Sequence, residues 1–129
     1  MNNNELFITA TRRKLRFHTD KGNATVEDLW DLDRRALDTI HKNLKAQQRR
    51  ADEESLLDTK SDKEKVLETK IAVVKAIFDI KTAEITAAET AAAAATKRAK
   101  IDEILAAREA QELENMTTEE LQKMRDSLN

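Results

Sequence analysis

The chain has 129 residues, a formal net charge of -2, one Gly and neither Pro, Cys nor Tyr. Sandwiches, barrels and doubly wound sheets need the turn chemistry of Gly and Pro, so those classes are excluded. Of 51 apolar residues 19 are Ala, which leaves 32 large apolar side chains, four of them aromatic. That is thin for a globule of this size and normal for long helices or helical assemblies.

The small net charge names no partner, but its distribution is uneven. Residues 1–50 hold 11 Lys/Arg against 7 Asp/Glu, and residues 51–129 hold 12 against 18. A basic head and an acidic body favour head-to-tail attraction within or between chains; the other reading is a scatter of charge over solvated helix faces. The absence of Cys removes disulfides, thiolate metal sites and Cys nucleophiles, and suits a reducing cytosol. No apolar run approaches the roughly 20 residues that span a bilayer, and Met1 to Glu5 lacks the basic start of a signal peptide. These features predict a soluble, non-secreted protein.

Residues 5–13 are ambiguous between helix and strand. Lys14 to Thr19 alternates polar and apolar, with Leu15 and Phe17 on one face, and Gly22 marks a turn that returns the chain near Ala24. A lone ribbon of this kind is marginal in water and must pack on a helix or pair with another chain. Thr25 reads as an N-cap, with Glu27 and Asp28 favoured by the helix dipole, ahead of Val26, Leu29 and Trp30. Leu32 closes that helix, and Asp33 caps a second one bearing a stripe of Leu37, Ile40 and Leu44. This second helix is expected to fray near Asp52-Glu53-Glu54. The sequence thus predicts an N-terminal head over 1–51, anchored by Trp30, Leu29 and Phe17, and a polar connection over 52–60 around Leu56-Leu57.

Ser61 and Glu64 form a capping box, and nothing after them breaks a helix before Asn115-Met116. The long helix, over 61–115, would measure about 80 Å at about 1.5 Å per residue, against about 30 Å for a folded domain of this mass. It must therefore protrude, bend or run along other chains. Leu67, Ile71, Val74, Phe78, Lys81, Ile85, Ala88, Ala92, Ala95 and Ala99 follow steps of 4 and 3, a heptad seam with one polar member. The seam then slips, because Ile101, Ile104 and Leu105 carry the apolar stripe where Asp102 holds the register. The Ala tract reads as a rigid spacer or as a surface for close helix packing. The bulky half reads as packing onto the head's own helices or as a contact between chains. Leu67, Ile71, Val74, Phe78 and Ile85 are the residues expected at an oligomer contact. Thr117 with Glu120 opens a short last helix over 116–129 with Leu121, Met124 and Leu128.

Catalytic patterns are weak. His18 and His41 show no zinc spacing, and Asp38 with His41 supplies only two ligands. His18 is expected as an exposed strand residue and His41 as an exposed helix residue. Ser55, Ser61 and Ser127 have no His nearby in sequence, and one Gly cannot build a phosphate loop. Acidic pairs such as Glu53-Glu54 fit solvated faces. The reading is a non-enzyme with no metal and no cofactor. Arg12, Arg13, Lys14, Arg16 and Lys21 form a basic segment able to neutralise phosphates, with Phe17 placed to stack on a base; the other reading pairs these cations with Glu27, Asp28, Asp31 and Asp33. No basic helix face backed by bulky aromatics suggests a membrane surface.

Thr11-Arg12-Arg13-Lys14-Leu15-Arg16-Phe17, then Lys21-Gly22, then Thr25 to Leu32 (TVEDLWDL), resembles a family of small tailed-bacteriophage proteins. The resemblance is specific over about residues 9–32 and compositional beyond, where the family also has a charged, Ala-rich helical remainder. Members of that family carry a Pro-containing loop after the segment matching Leu32, where this chain has Asp33-Arg34-Arg35. The resemblance implies a phage accessory protein in the infected bacterial cytoplasm, or a virion component, and carries over no catalytic residue.

The sequence therefore predicts a mainly α protein: a strand-turn and two helices packed on a coiled-coil-like helix of about 50 residues, then a short C-terminal helix. The leading functional expectation is a non-enzymatic interaction or self-assembly protein, a homo-oligomer with a phage or host protein as a further partner. The alternatives are nucleic-acid binding through the basic segment and inhibition of a host enzyme or defence complex.

Overall fold

The ambiguous N-terminal stretch is a helix, α1 (Asn3–Arg12), in the computed structural model, which describes residues 1–56 and 61–128. Asn2 caps it, its Oδ1 accepting from the Glu5 amide at 2.8 Å. Leu6 and Ala10, four residues apart, bury one face. The helix ends in a Schellman motif: the Leu15 amide donates to the Ala10 carbonyl and the Lys14 amide to the Thr11 carbonyl, both at 3.1 Å. Lys14 takes the left-handed position, with φ of 53°.

A hairpin follows, β1 (Phe17–Thr19) and β2 (Gly22–Ala24), antiparallel with Phe17 opposite Ala24 and Thr19 opposite Gly22. Gly22 holds the positive φ of the turn, 109°. The Thr19 hydroxyl donates to the Gly22 carbonyl at 2.7 Å and accepts from the Lys21 amide at 3.2 Å, so one side chain closes the turn. Helix α2 (Val26–Leu29) starts at a full capping box. The Asp28 amide donates to Thr25 Oγ1 at 3.1 Å, and the Thr25 amide donates to Asp28 Oδ2 at 2.9 Å.

Helix α3 (Arg34–Glu54) is capped by Asp33, whose Oδ1 accepts from the Ala36 amide at 2.8 Å. It buries Leu37, Ile40 and Leu44, as their spacing predicts. It ends at Glu54, within the Asp52-Glu53-Glu54 segment expected at its end. Of the connection expected over 52–60, Leu57 and residues 58–60 lie outside the described residues.

Helix α4 (Asp62–Asn115) is a single helix of 54 residues. Its start is satisfied by Ser61, whose hydroxyl accepts from the Glu64 amide at 3.3 Å. Helix α5 (Thr118–Ser127) opens at the expected capping box, with Thr117 accepting from the Glu120 amide at 3.2 Å and Glu120 accepting from the Thr117 amide at 3.4 Å. The protein is thus mainly α, with the long helix packed against shorter helices and a short strand pair.

The chain divides into two units, Met1–Ile85 and Thr86–Asn129. The first has a hydrophobic core in which Phe17, Leu29, Leu37, Val73, Val74 and Ile77 are the largest fully buried side chains. The face of α4 that closes this core centres on Val73, Val74 and Ile77, with Val66, Leu67 and Phe78 at its margin. It lies one step round the helix from the Leu67–Ile71–Val74–Phe78 seam. Three shorter helices, not two, join the hairpin in this core, since α1 contributes Leu6 and Ala10. In the second unit no described residue is buried.

Candidate interaction surfaces

The basic segment sits where α1 ends and the hairpin begins. Arg12 closes the last turn of α1, Arg13 is its C-cap, Lys14 holds the left-handed position, and Lys21 lies in the hairpin turn; with Arg16 all five are exposed. Among the described residues none of the five closes an ion pair. Arg16 donates through Nη1 to the neighbouring Leu15 carbonyl at 3.1 Å. Its charge also helps to hold the Asp28 carboxyl below the ordinary value of 3.8, though the larger causes are the hydrogen bonds from the Thr25 amide and hydroxyl. Phe17 is fully buried, so the expected stacking platform beside this segment does not exist. The ring is needed under the hairpin, where a marginal two-stranded ribbon must pack on something.

Trp30 departs from its expected place. It is 37% exposed and rests against Phe7, ring centroids 5.7 Å apart and tilted by 50°. Leu29, its neighbour, takes the core position because α2 makes only one turn and can aim a single large residue inward.

The five seam residues part company. Ile71 and Val74 are buried in the first unit's core, and Leu67 and Phe78 are half-buried against it. A second chain could reach Ile71 and Val74 only by opening that core, so neither offers a surface contact. The physical reason is competition: Leu37, Ile40 and Leu44 of α3 are on the same chain and reach α4 without the entropic cost of association. Ile85 alone remains exposed, at 38%. Lys81, the polar member of the seam, donates through Nζ to the Leu32 carbonyl, just beyond the end of α2. Next to it the Arg34 Nη1 donates to Thr82 Oγ1 at 3.4 Å.

Between α3 and α4 a groove of about 200 Å³ is floored by Leu37, Val74 and Phe78 and edged by His41, Asp38 and Asp79. His41 is therefore half-buried, not exposed, while His18 on β1 is exposed. Each acid is held by its own helix: Asp38 by Lys42 at 3.1 Å and Asp79 by Lys75 at 3.9 Å. Among the described residues no three His, Asp or Glu side chains gather to hold a metal ion.

Beyond this unit the chemistry changes. Every residue from Ala83 to Asn115 is exposed, including Ile101, Ile104, Leu105 and Leu113. On α5 Leu121 and Met124, with the C-cap residue Leu128, form an apolar stripe that is also exposed. Within the second unit these side chains keep their apolar surface in water, where it costs about 25 cal/mol per Å² relative to burial. Among the described residues no helix is long and apolar enough to cross a membrane. Comparison with family models, with curated proteins and with solved structures finds no match to this chain.

Proposed function

We propose that the protein is a non-enzymatic helical interaction protein that self-assembles or docks through the second half of α4 and through α5. One observation carries this reading: the first unit buries a hydrophobic core and leaves Met1, Ile8, Trp30, Leu56 and Ile85 outside it, whereas the second buries none of its described residues and leaves Ile101, Ile104, Leu105, Leu121, Met124 and Leu128 exposed. In this reading the assembly contact belongs to the second unit and not to the Leu67–Phe78 segment, which packs in the first unit's core. The N-terminal likeness to small tailed-bacteriophage proteins supports a phage accessory or structural role, in the infected bacterial cytoplasm or in the virion.

Light scattering on the full chain tests it. A mass above 14.7 kDa is expected, rising with concentration, and Ile101→Asp with Leu105→Asp should return the monomer without loss of helix signal. A monomer at all concentrations, together with no partner recovered from infected cells, would remove the reading. Substitution of Ile71 is no test, because it opens the core instead.

A second reading, nucleic-acid binding, draws on the five exposed cations Arg12, Arg13, Lys14, Arg16 and Lys21, none of which closes a salt bridge among the described residues. It requires binding of DNA or RNA that weakens steeply with salt and disappears when the five are neutralised. No shift at low salt ends it.

A further inference from the structure

The apolar patch at the middle of the second unit has a symmetry of spacing that a single chain does not use. On α4 the residues Ala94, Lys97, Ile101 and Ile104 recur at steps of 3 and 4, as do Leu105, Arg108, Glu112 and Asn115, and the two runs, joined at the adjacent pair Ile104-Leu105, share one exposed helix face. The pattern reads the same in both directions about the midpoint between Ile104 and Leu105. Reversing the helix about that point brings Ile104 onto Leu105, Ile101 onto Arg108, Lys97 onto Glu112 and Ala94 onto Asn115. Face positions fall on face positions throughout, and the one pair of purely charged residues is of opposite sign.

We infer that the occupant of this face is a second copy of the same chain, lying antiparallel and centred on Ile104 and Leu105. The inference rests on the self-assembly reading above and gives it an orientation and a register. Charge decides the direction. The patch lies between a basic stretch, Lys97, Arg98 and Lys100, and an acidic one, Glu109, Glu112 and Glu114. In the antiparallel pair each basic stretch lies along the other chain's acidic stretch, and Arg98 comes beside Glu109 and Glu112. In a parallel pair in register, Lys97 meets Lys97 and Glu112 meets Glu112, which disfavours association. The two-fold axis makes the contact isologous, so each favourable pair occurs twice. Arg108 lays its aliphatic stem over Ile101 and keeps its guanidinium at the rim, near Glu112 of its own helix four residues on. The overlap from Ala94 to Asn115 is about 33 Å long at about 1.5 Å per residue. Only Ile101, Ile104 and Leu105 supply bulky apolar area, so the dimer dissociates on dilution.

The chain has no cysteine, so introduced thiols report cleanly. Ala94→Cys and Asn115→Cys are made separately in the full chain, mixed, and mildly oxidised. The antiparallel pair predicts a cross-linked dimer from the mixture and none from either variant alone. Cross-linking of Ala94→Cys with itself overturns the antiparallel arrangement and leaves self-assembly standing. A dimeric mass with no cross-link from the mixture overturns the register, and a monomeric mass at all concentrations overturns both inference and parent reading. As a second measurement, Lys97→Glu should weaken dimerisation about tenfold at low salt, and adding Glu112→Lys on the same chain should restore it. A double variant no tighter than the single one refutes the pairing.

Discussion

Lys14 is the residue at which the backbone departs most from what its type prefers. A left-handed φ costs an L-residue with a Cβ about 1–2 kcal/mol, and here it lets Leu15 reach the core while α1 terminates. Lys14→Gly should raise stability by about 1 kcal/mol, read as a higher urea midpoint with unchanged slope. Gly22, at φ of 109°, is the converse: open space surrounds its missing side chain, so Gly22→Ala should destabilise through the backbone alone. Asp28 supplies a pH dependence whose sign follows from its hydrogen bonds. The Thr25 amide and hydroxyl donate to the ionised carboxylate and depress its pKa in the folded chain, whereas the unfolded chain keeps the ordinary 3.8. Its contribution to stability is therefore complete above that value and is lost as pH falls through the depressed folded pKa. A carboxyl titration followed by NMR should find Asp28 below 3.8, and Thr25→Ala should move it back up. The capping role of Thr25 was legible from its place before Val26-Glu27-Asp28. The twist at Lys14 was not, because a Schellman end without Gly leaves no local mark.

At the scale of elements, one helix serves two purposes along its length, and the heptad pattern does not reveal where the change falls. Steps of 4 and 3 from Leu67 to Ile85 fit contact between chains and contact within a chain equally well. The distinction comes from what stands opposite: α3 presents Leu37, Ile40 and Leu44, and the hairpin presents Phe17. Those partners draw the buried face one step round to Val73 and Ile77, two residues outside the seam. Ile77→Ala should cost about 3 kcal/mol by leaving a cavity, while Ile85→Ala should change stability by less than about 0.5 kcal/mol. Equal losses at the two sites, measured by chemical denaturation, would contradict this division of α4. Lys81 sits where the seam's polar break falls. By donating to the Leu32 carbonyl it satisfies the chain just beyond the one-turn helix α2, so Lys81→Met should destabilise the fold by about 1–2 kcal/mol.

For the whole molecule, all described buried residues lie between Leu6 and Ile77. A chain ended after Ile85 therefore retains the complete core. Its urea midpoint, followed by the fluorescence of Trp30 against Phe7, should match that of the dilute full chain. A large drop would show that residues 86–129 support the core. What the amino-acid sequence determined by itself was the content of helix. Sparse Gly, absent Pro, and side-chain caps at Thr25, Asp33, Ser61 and Thr117 act locally, within three residues of the amides they satisfy, and so can be read in order along the chain. What only the tertiary structure decided was which apolar residues are spent. Burial depends on non-local neighbours, and Trp30, Phe17, Ile71 and Ile101 differ in exposure because of what the fold sets against each of them, not because of their own hydrophobicity.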